Sequence, residues 1–196
     1  MVLSVVVLPG PAWAESDFEV WNQMVFKWRQ DHGQTIWLMQ DLRSKANVSG
    51  LRLSKTNLGA TFPLGRDVDL GPFFAVVWQE PIKVEYRPSA QLRVRWEALK
   101  TKWHMRQIIE MRIFEHATRW RWRSQLKAEW SPWFVSDEIF VDCRSMEVTQ
   151  NRFQAGRDWK IGGNTTLSAW YILASERFGA HWIQRHGLGT TITVNF

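Results

Sequence analysis

The amino-acid sequence predicts an all-β fold: a single antiparallel up-and-down transmembrane β-barrel of ten to twelve strands. Three observations carry this expectation. Segments of about ten residues with alternating polarity recur between turn residues, the pattern of strands that cross lipid in a closed barrel. The 196 residues include fourteen Trp against two Tyr, and indole concentrates where an apolar zone meets water. The final alternating segment ends on an aromatic residue, Phe196.

The length suits one domain with a sizeable core. After the N-terminus no segment approaches the run of roughly 18 apolar residues that a transmembrane helix needs. A membrane reading therefore requires a closed barrel, the other architecture that satisfies every backbone group in lipid. At the N-terminus, Val2 to Leu8 is a short apolar run, followed by Pro9-Gly10-Pro11 and then Ala12-Trp13-Ala14. The last triplet is the small-x-small pattern of a signal-peptide cleavage site. Residues 1–14 are read as a signal peptide and residues 15–196 as one outer-membrane β-barrel domain. The competing reading of the apolar run is a buried N-terminal strand.

Along the chain, Phe18, Val20, Met24, Phe26 and Trp28 share one face of the first strand, with Glu19, Gln23, Lys27 and Arg29 on the other. Leu92, Val94 and Trp96 alternate with Gln91, Arg93, Arg95 and Glu97. The clearest segment runs from Arg119 to Trp130. There Arg119, Arg121, Arg123, Gln125, Lys127 and Glu129 oppose Trp120, Trp122, Ser124, Leu126, Ala128 and Trp130. Side chains alternate across a strand, so this segment has one polar and one mostly apolar face, which a helix would mix. Ile139, Val141 and Cys143 alternate with Glu138, Phe140, Asp142 and Arg144; Thr165, Leu167, Ala169, Tyr171 and Leu173 form a later apolar row. In the last strand Leu188, Thr190, Ile192, Val194 and Phe196 share a face.

Turns are expected at Asp31-His32-Gly33, Gly65-Arg66-Asp67, Ser131-Pro132 and Gly162-Gly163-Asn164. Pro63, Pro72 and Pro88 are expected near strand ends, where a missing donor is tolerated. One stretch is ambiguous. Leu92, Trp96, Leu99 and Trp103 are also spaced for a helix, and Glu97 to His116 holds several helix formers. Parity favours a strand, with Arg106, Glu110 and Arg112 on one face and Trp103, Met105, Ile109, Met111 and Ile113 on the other. About eleven runs result, whereas a single-chain bacterial barrel normally has an even number.

The formal net charge of +6 does not point to nucleic acid, because the basic residues recur at every second position within apolar segments rather than forming a patch. Cys143 is the single cysteine, which excludes an intramolecular disulfide and any multi-cysteine metal site. His32, His104, His116, His181 and His186 have no metal-ligand spacing, so neither metal nor cofactor is expected. Ser136, Ser168, His104 and His181 could in principle serve a lipid-modifying enzyme, but no local motif couples a nucleophile to a base. No enzymatic activity is expected.

Alternation leaves two all-β readings open. In a soluble lipocalin-like periplasmic binder the apolar rows line a cavity for apolar ligands; in a membrane barrel the same rows face lipid. Arg and Glu together on the polar face, and Trp at the ends of apolar rows, favour lipid. The polar row would then line a lumen with Arg93, Arg95, Arg106, Glu110, Arg112, Arg121, Arg123, Glu138 and Arg152. Excess Arg would favour anions if the lumen conducts, whereas ion pairing across a narrow lumen would close it.

The C-terminal strand resembles that of outer-membrane barrels, which typically end on an aromatic residue preceded by alternating apolar positions. Leu188, Ile192, Val194 and Phe196 match this pattern. The resemblance implies an assembly signal read by the barrel assembly machinery, with periplasmic chaperones and outer-membrane lipid as further partners. From Asp17 to Phe196 the chain is also similar to the bacterial family catalogued as domain of unknown function 2490, presumed outer-membrane barrels. The matching pieces are Trp21, Gln40-Asp41-Leu42-Arg43, Glu85-Tyr86-Arg87, Arg106 with Glu110-Met111-Arg112, Arg119-Trp120-Arg121-Trp122-Arg123, Ser136-Asp137-Glu138-Ile139-Phe140, and Asn151-Arg152 with Gly156. Ile108 in the polar row is a departure. The resemblance implies an outer-membrane location and the barrel fold, and no activity.

Overall fold

The computed structural model describes residues 17–45, 51–80 and 83–196; the expected signal peptide lies outside them. Within the described residues eleven strands follow one another without a helix. These are β1 (Asp17–Arg29), β2 (Thr35–Lys45), β3 (Leu51–Pro63), β4 (Val68–Gln79), β5 (Lys83–Ala98), β6 (Thr101–Ile113), β7 (Thr118–Trp130), β8 (Trp133–Asp142), β9 (Glu147–Lys160), β10 (Thr165–Phe178) and β11 (His181–Asn195). Each pairs with its chain neighbours, and β1 closes the barrel against β11. The count falls within the expected range, but it is odd. An odd number of alternating strands leaves the first and last pointing the same way, so the closing β1–β11 pair is parallel, Asp17 opposite Arg185 and Lys27 opposite Asn195. The expectation of a wholly antiparallel, even-numbered barrel is corrected to this extent. The start of β1 and the end of β11 consequently lie at opposite rims, here called lower and upper.

The stretch that could have been helical is a hairpin. Ala98 pairs with Thr101, and Leu99 and Lys100 take φ of 54° and 60°, as both central residues of a tight two-residue hairpin turn must. Leu99 is 97% exposed at this tip. The prolines also differ from expectation. Pro63 ends β3, but Pro72 and Pro88 sit inside β4 and β5. Each coincides with a gap in a ladder: β3–β4 pairing skips from Gly59–Phe73 to Phe62–Leu70, and β5–β6 pairing from Tyr86–Ile113 to Ser89–Glu110. A residue without an N–H interrupts one ladder and leaves the rest of the strand paired.

The two faces divide sharply. Large apolar side chains on the outer face are exposed, among them Met24, Leu58, Phe74, Ile109, Leu126 and Leu188. Outward-facing indoles gather near both rims: Trp28, Trp96, Trp103, Trp130, Trp133 and Trp159 above, Trp78, Trp120, Trp122 and Trp182 below. On β7, Trp120 and Trp130 are ten residues apart. At about 3.3 Å per residue and a tilt of ~40° this separates the two levels by roughly 25 Å, the height of the apolar band of membrane barrels.

Three indoles point inward, against the expectation that Trp marks the outer face. Trp21 and Trp170 meet edge to face at 5.6 Å and form a buried cluster with Phe134 and Ile172. Glycines make the room. The Trp170 ring lies where a Cβ on Gly189 would be, and the Trp37 ring is 2.5 Å from the Cβ position of Gly59. Replacing Gly189 with alanine is expected to destabilise the barrel by about 1–3 kcal/mol through overpacking, measured as a lower urea midpoint by tryptophan fluorescence; an unchanged midpoint would show that the indole can move aside freely.

Candidate functional site: a charged interior with an upper cavity

Because strand side chains alternate, the polar row of every strand converges on the barrel axis. All nine residues expected to line a lumen lie on this inward face. They divide into two levels. Arg93, Arg95, Arg106, Arg123, Glu138 and Arg152 line a cavity of 1120 Å³ that opens at the upper rim beside Arg29, Pro63 and Phe196. Glu110, Arg112 and Arg121 belong to a filled layer beneath it.

That layer is built by register. Glu110 faces Arg121 directly across β6–β7 and accepts hydrogen bonds from its Nε at 2.9 Å and Nη2 at 2.5 Å. Glu110 also takes Arg123 at 3.3 Å and lies 4.0 Å from Arg87. Glu85 takes Arg87 at 2.7 Å and Arg112 at 2.5 Å. Glu138 takes Arg123 at 2.7 Å and Arg106 at 3.4 Å. The result is one continuous network from Arg112 to Arg106, with each carboxylate shared by two or more guanidinium groups. Such sharing is what makes buried charge tolerable.

A second set of pairs occupies the far wall. Asp41 holds Arg43 at 2.7 Å and Lys55 at 3.7 Å, Glu19 pairs with Arg52, and Glu176 holds Arg185 at 2.6 Å. At the centre stands Phe140, fully buried on the inward face of β8. The guanidinium groups of Arg121, Arg123 and Arg152 lie 4.9, 4.9 and 4.6 Å from its ring centre, within cation–π range. Ile108, which departs from the polar row, and Ile172 and Val77 are also buried on inward rows of β6, β10 and β4. Among the described residues, charged and apolar side chains thus crowd the lower half of the interior, and the upper half holds the cavity, here called the cup.

Several of these groups were quoted in the sequence only as motif pieces, namely Asp41, Arg43, Glu85 and Arg87. Their signal was available: opposite charges two residues apart share a strand face, and Arg43 and Arg87 hydrogen-bond Asp41 and Glu85 in just this way. Lys55 and the inward Trp37 carried no comparable mark. Of the serines and histidines considered for catalysis, Ser136 donates to Gln154 at 3.3 Å. His104 lies 3.2 Å from Glu129. Ser168 lines the cup, and His181 opens β11 at the lower rim. Among the described residues no group of three or more His, Cys, Asp or Glu could hold a metal ion.

Leu188, Ile192 and Phe196 are exposed along the outside of β11, with Val194 half-buried between them. The Phe196 ring stacks on Trp28 at 5.6 Å, while its N–H donates to Lys27 O at 2.8 Å and its carbonyl accepts from the Arg29 N–H at 3.1 Å.

Over the described residues the fold and its interior define a closed eleven-stranded β-barrel with apolar outer walls, ion pairs in the lower interior and a polar cavity above them. The chain belongs to the family described as protein of unknown function DUF2490, which it matches over residues 18–185. No curated protein matches it.

Proposed function

We propose that this barrel spans the bacterial outer membrane and is closed to free diffusion, acting as a structural or solute-receiving barrel rather than an open pore. The observation that carries the reading is the inverted polarity. Exposed Leu, Phe, Val and Trp cover the outside, and buried Arg, Glu and Asp fill the inside. In water the outer wall would present far more contiguous apolar surface than soluble monomers tolerate; in lipid the same wall is solvated. The soluble lipocalin-like alternative also needs an apolar cavity, whereas the cup lining is more polar than apolar, with charged, amide and hydroxyl side chains around a smaller aromatic part. A lipid-modifying enzyme would need a nucleophile activated by a base, and Ser136, one of the serines considered for it, donates to Gln154 rather than to a histidine.

On this reading residues 1–14 direct export, and Leu188, Ile192, Val194 and Phe196 form the signal read by the barrel assembly machinery after periplasmic chaperones deliver the chain. Outer-membrane lipid is then the permanent partner of the outer wall.

Two measurements test it. The refolded protein should require detergent or lipid to stay dispersed and should migrate differently on a gel before and after boiling. Dispersal in plain buffer would end the membrane reading. In planar bilayers the pure protein is expected to give no steady conductance steps, because the Arg112-to-Arg106 network and Phe140 occupy the lumen. Regular steps from the wild-type chain would overturn the closed state while leaving the membrane location intact.

A further inference from the structure

Beyond being open where the layer beneath it is filled, the cup carries unbalanced charge. Eleven Lys and Arg side chains line it against four carboxylates. The imbalance is sharpest on the β5–β6 wall, where Arg93 and Arg106 face each other directly in register. Like charges directly opposite on neighbouring strands are destabilising unless something neutralises them. Neither arginine is fully neutralised by the protein. Arg93 donates to the neutral Thr61 hydroxyl at 2.6 Å, and Asp69, which stands opposite it on β4, is held by Arg95 at 2.9 Å. Arg106 reaches Glu138 at 3.4 Å, and that carboxylate is already held by Arg123 at 2.7 Å.

The hydrogen-bond inventory agrees. The Nε–H groups of Arg93, Arg106 and Arg152 and the indole N–H of Trp37 are buried and have no acceptor among the described residues. Guanidinium and indole nitrogens can only donate. The side-chain amides of Gln91 and Asn57, each 3% exposed, add two more nitrogens without partners, and Gln91 is the next inward residue to Arg93 on β5. All six side chains line the cup. A wall with unsatisfied donors and surplus positive charge is complementary to an oxyanion, which accepts several charge-assisted hydrogen bonds at once.

We propose that the cup is a binding site for a small anionic solute, whose phosphate or carboxylate group bridges Arg93 and Arg106 and accepts a further hydrogen bond from Gln91. The cavity of 1120 Å³ is much larger than one oxyanion, so the group would belong to a larger molecule. Its body would rest on Trp37 and Phe73, whose rings lie 5.6 Å apart on the same wall. The site depends on the cup alone and not on whether lipid or water surrounds the outer wall.

The test is calorimetric titration of the full refolded chain at fixed ionic strength in chloride, with inorganic phosphate in one arm and citrate in the other. Saturable binding at one site is expected in at least one arm, and the arm that binds assigns the group as phosphate or carboxylate. R93Q and R106Q should each weaken it by at least about tenfold, the loss expected for a charge-assisted hydrogen bond. K127Q removes the same charge from a lysine already held by Glu129 at 2.5 Å and should change affinity by no more than about twofold, the scale of a screened, already paired charge. R93K keeps the charge and removes the Nε–H, and should also weaken binding; it serves where R93Q does not fold. Absence of saturable binding in both arms overturns the proposal. So does an equal loss in K127Q and R93Q, which would reduce the site to diffuse charge, or full affinity in R93K. None of these outcomes bears on the detergent requirement that tests membrane location.

Discussion

Replacing Glu110 with glutamine is expected to destabilise the barrel by about 3–5 kcal/mol, the scale of leaving a buried charge without its partner. Glu110 is 1% exposed and, among the described residues, is the one carboxylate paired with Arg121, which it meets at 2.5 Å. Arg123 retains Glu138 and Arg87 retains Glu85 when Glu110 loses its charge. Arg121 then keeps the face of Phe140 at 4.9 Å, while Asp142, opposite it on β8, is engaged by the N–H groups of Arg144 and Ser145. The loss should appear as a lower urea midpoint in lipid vesicles, followed by the intrinsic tryptophan signal. A second change identifies the cause. Replacing both Glu110 and Arg121 with glutamine removes the pair together, leaves no stranded charge, and should recover most of the stability lost in E110Q. Buried ion pairs behave this way because the penalty lies in the orphaned partner more than in the pair. Additive losses in the double variant would mean that the two side chains do not act as a unit. The same E110Q protein should be the first variant to show conductance in planar bilayers, since it loosens the layer that fills the lumen.

The parity of the charged rows was legible because period two is a strong local signal. From Arg119 to Trp130 every inward and outward residue could be assigned from the chain alone. The interior arrangement was not legible, for a physical reason. Whether Arg121 meets Glu110, or Arg123 meets Glu138, depends on the register between neighbouring strands, and register is set by the whole set of ladders and turns rather than by either residue's sequence neighbourhood. The division into a filled half and a cup is a consequence of register and was therefore hidden. Closure was hidden for the same reason: β1 and β11 pair at a separation of 168 residues, Asn22 with Thr190, and no local pattern signals such a partner.

One unmarked turn and two departures from expectation share a cause, in that a residue type points to its usual role and the structure uses another. Leu99 and Lys100 form a tight turn without the Asn or Gly that commonly marks one. Pro72 and Pro88 sit inside strands at the positions where the ladders lapse. Trp21, Trp37 and Trp170 lie on inward rows, and Gly59 and Gly189 leave the space for two of their rings. An inward glycine paired across a ladder with a row that carries an aromatic is a detectable pattern once register is known, as it is for Trp37 opposite Gly59 and Trp170 opposite Gly189.

Which medium covers the outer wall can be decided by placing a charge on it at two heights. Leu58 lies in the middle of β3, 56% exposed, with outward Leu38 and Phe74 directly opposite on the neighbouring strands. No charged side chain stands opposite it to compensate an introduced arginine. Phe62 is on the same strand and face, one residue before the upper end. If the wall is in lipid, L58R should cost about 2–4 kcal/mol and F62R only about 0–1, because the cost of a charge falls from the bilayer midplane towards the interface. If the wall is in water, both positions are exposed surface and both changes should stay within about 0.5 kcal/mol. Urea unfolding of the two variants in lipid vesicles reads the difference directly. A gradient with height requires a hydrocarbon slab around the barrel, and no rearrangement of the charged interior imitates it, since neither substitution touches the lumen. Equal, small effects at both heights would return the apolar rows to an aqueous setting and withdraw the membrane reading, while leaving the Glu110–Arg121 prediction and the anion site of the cup where they stand.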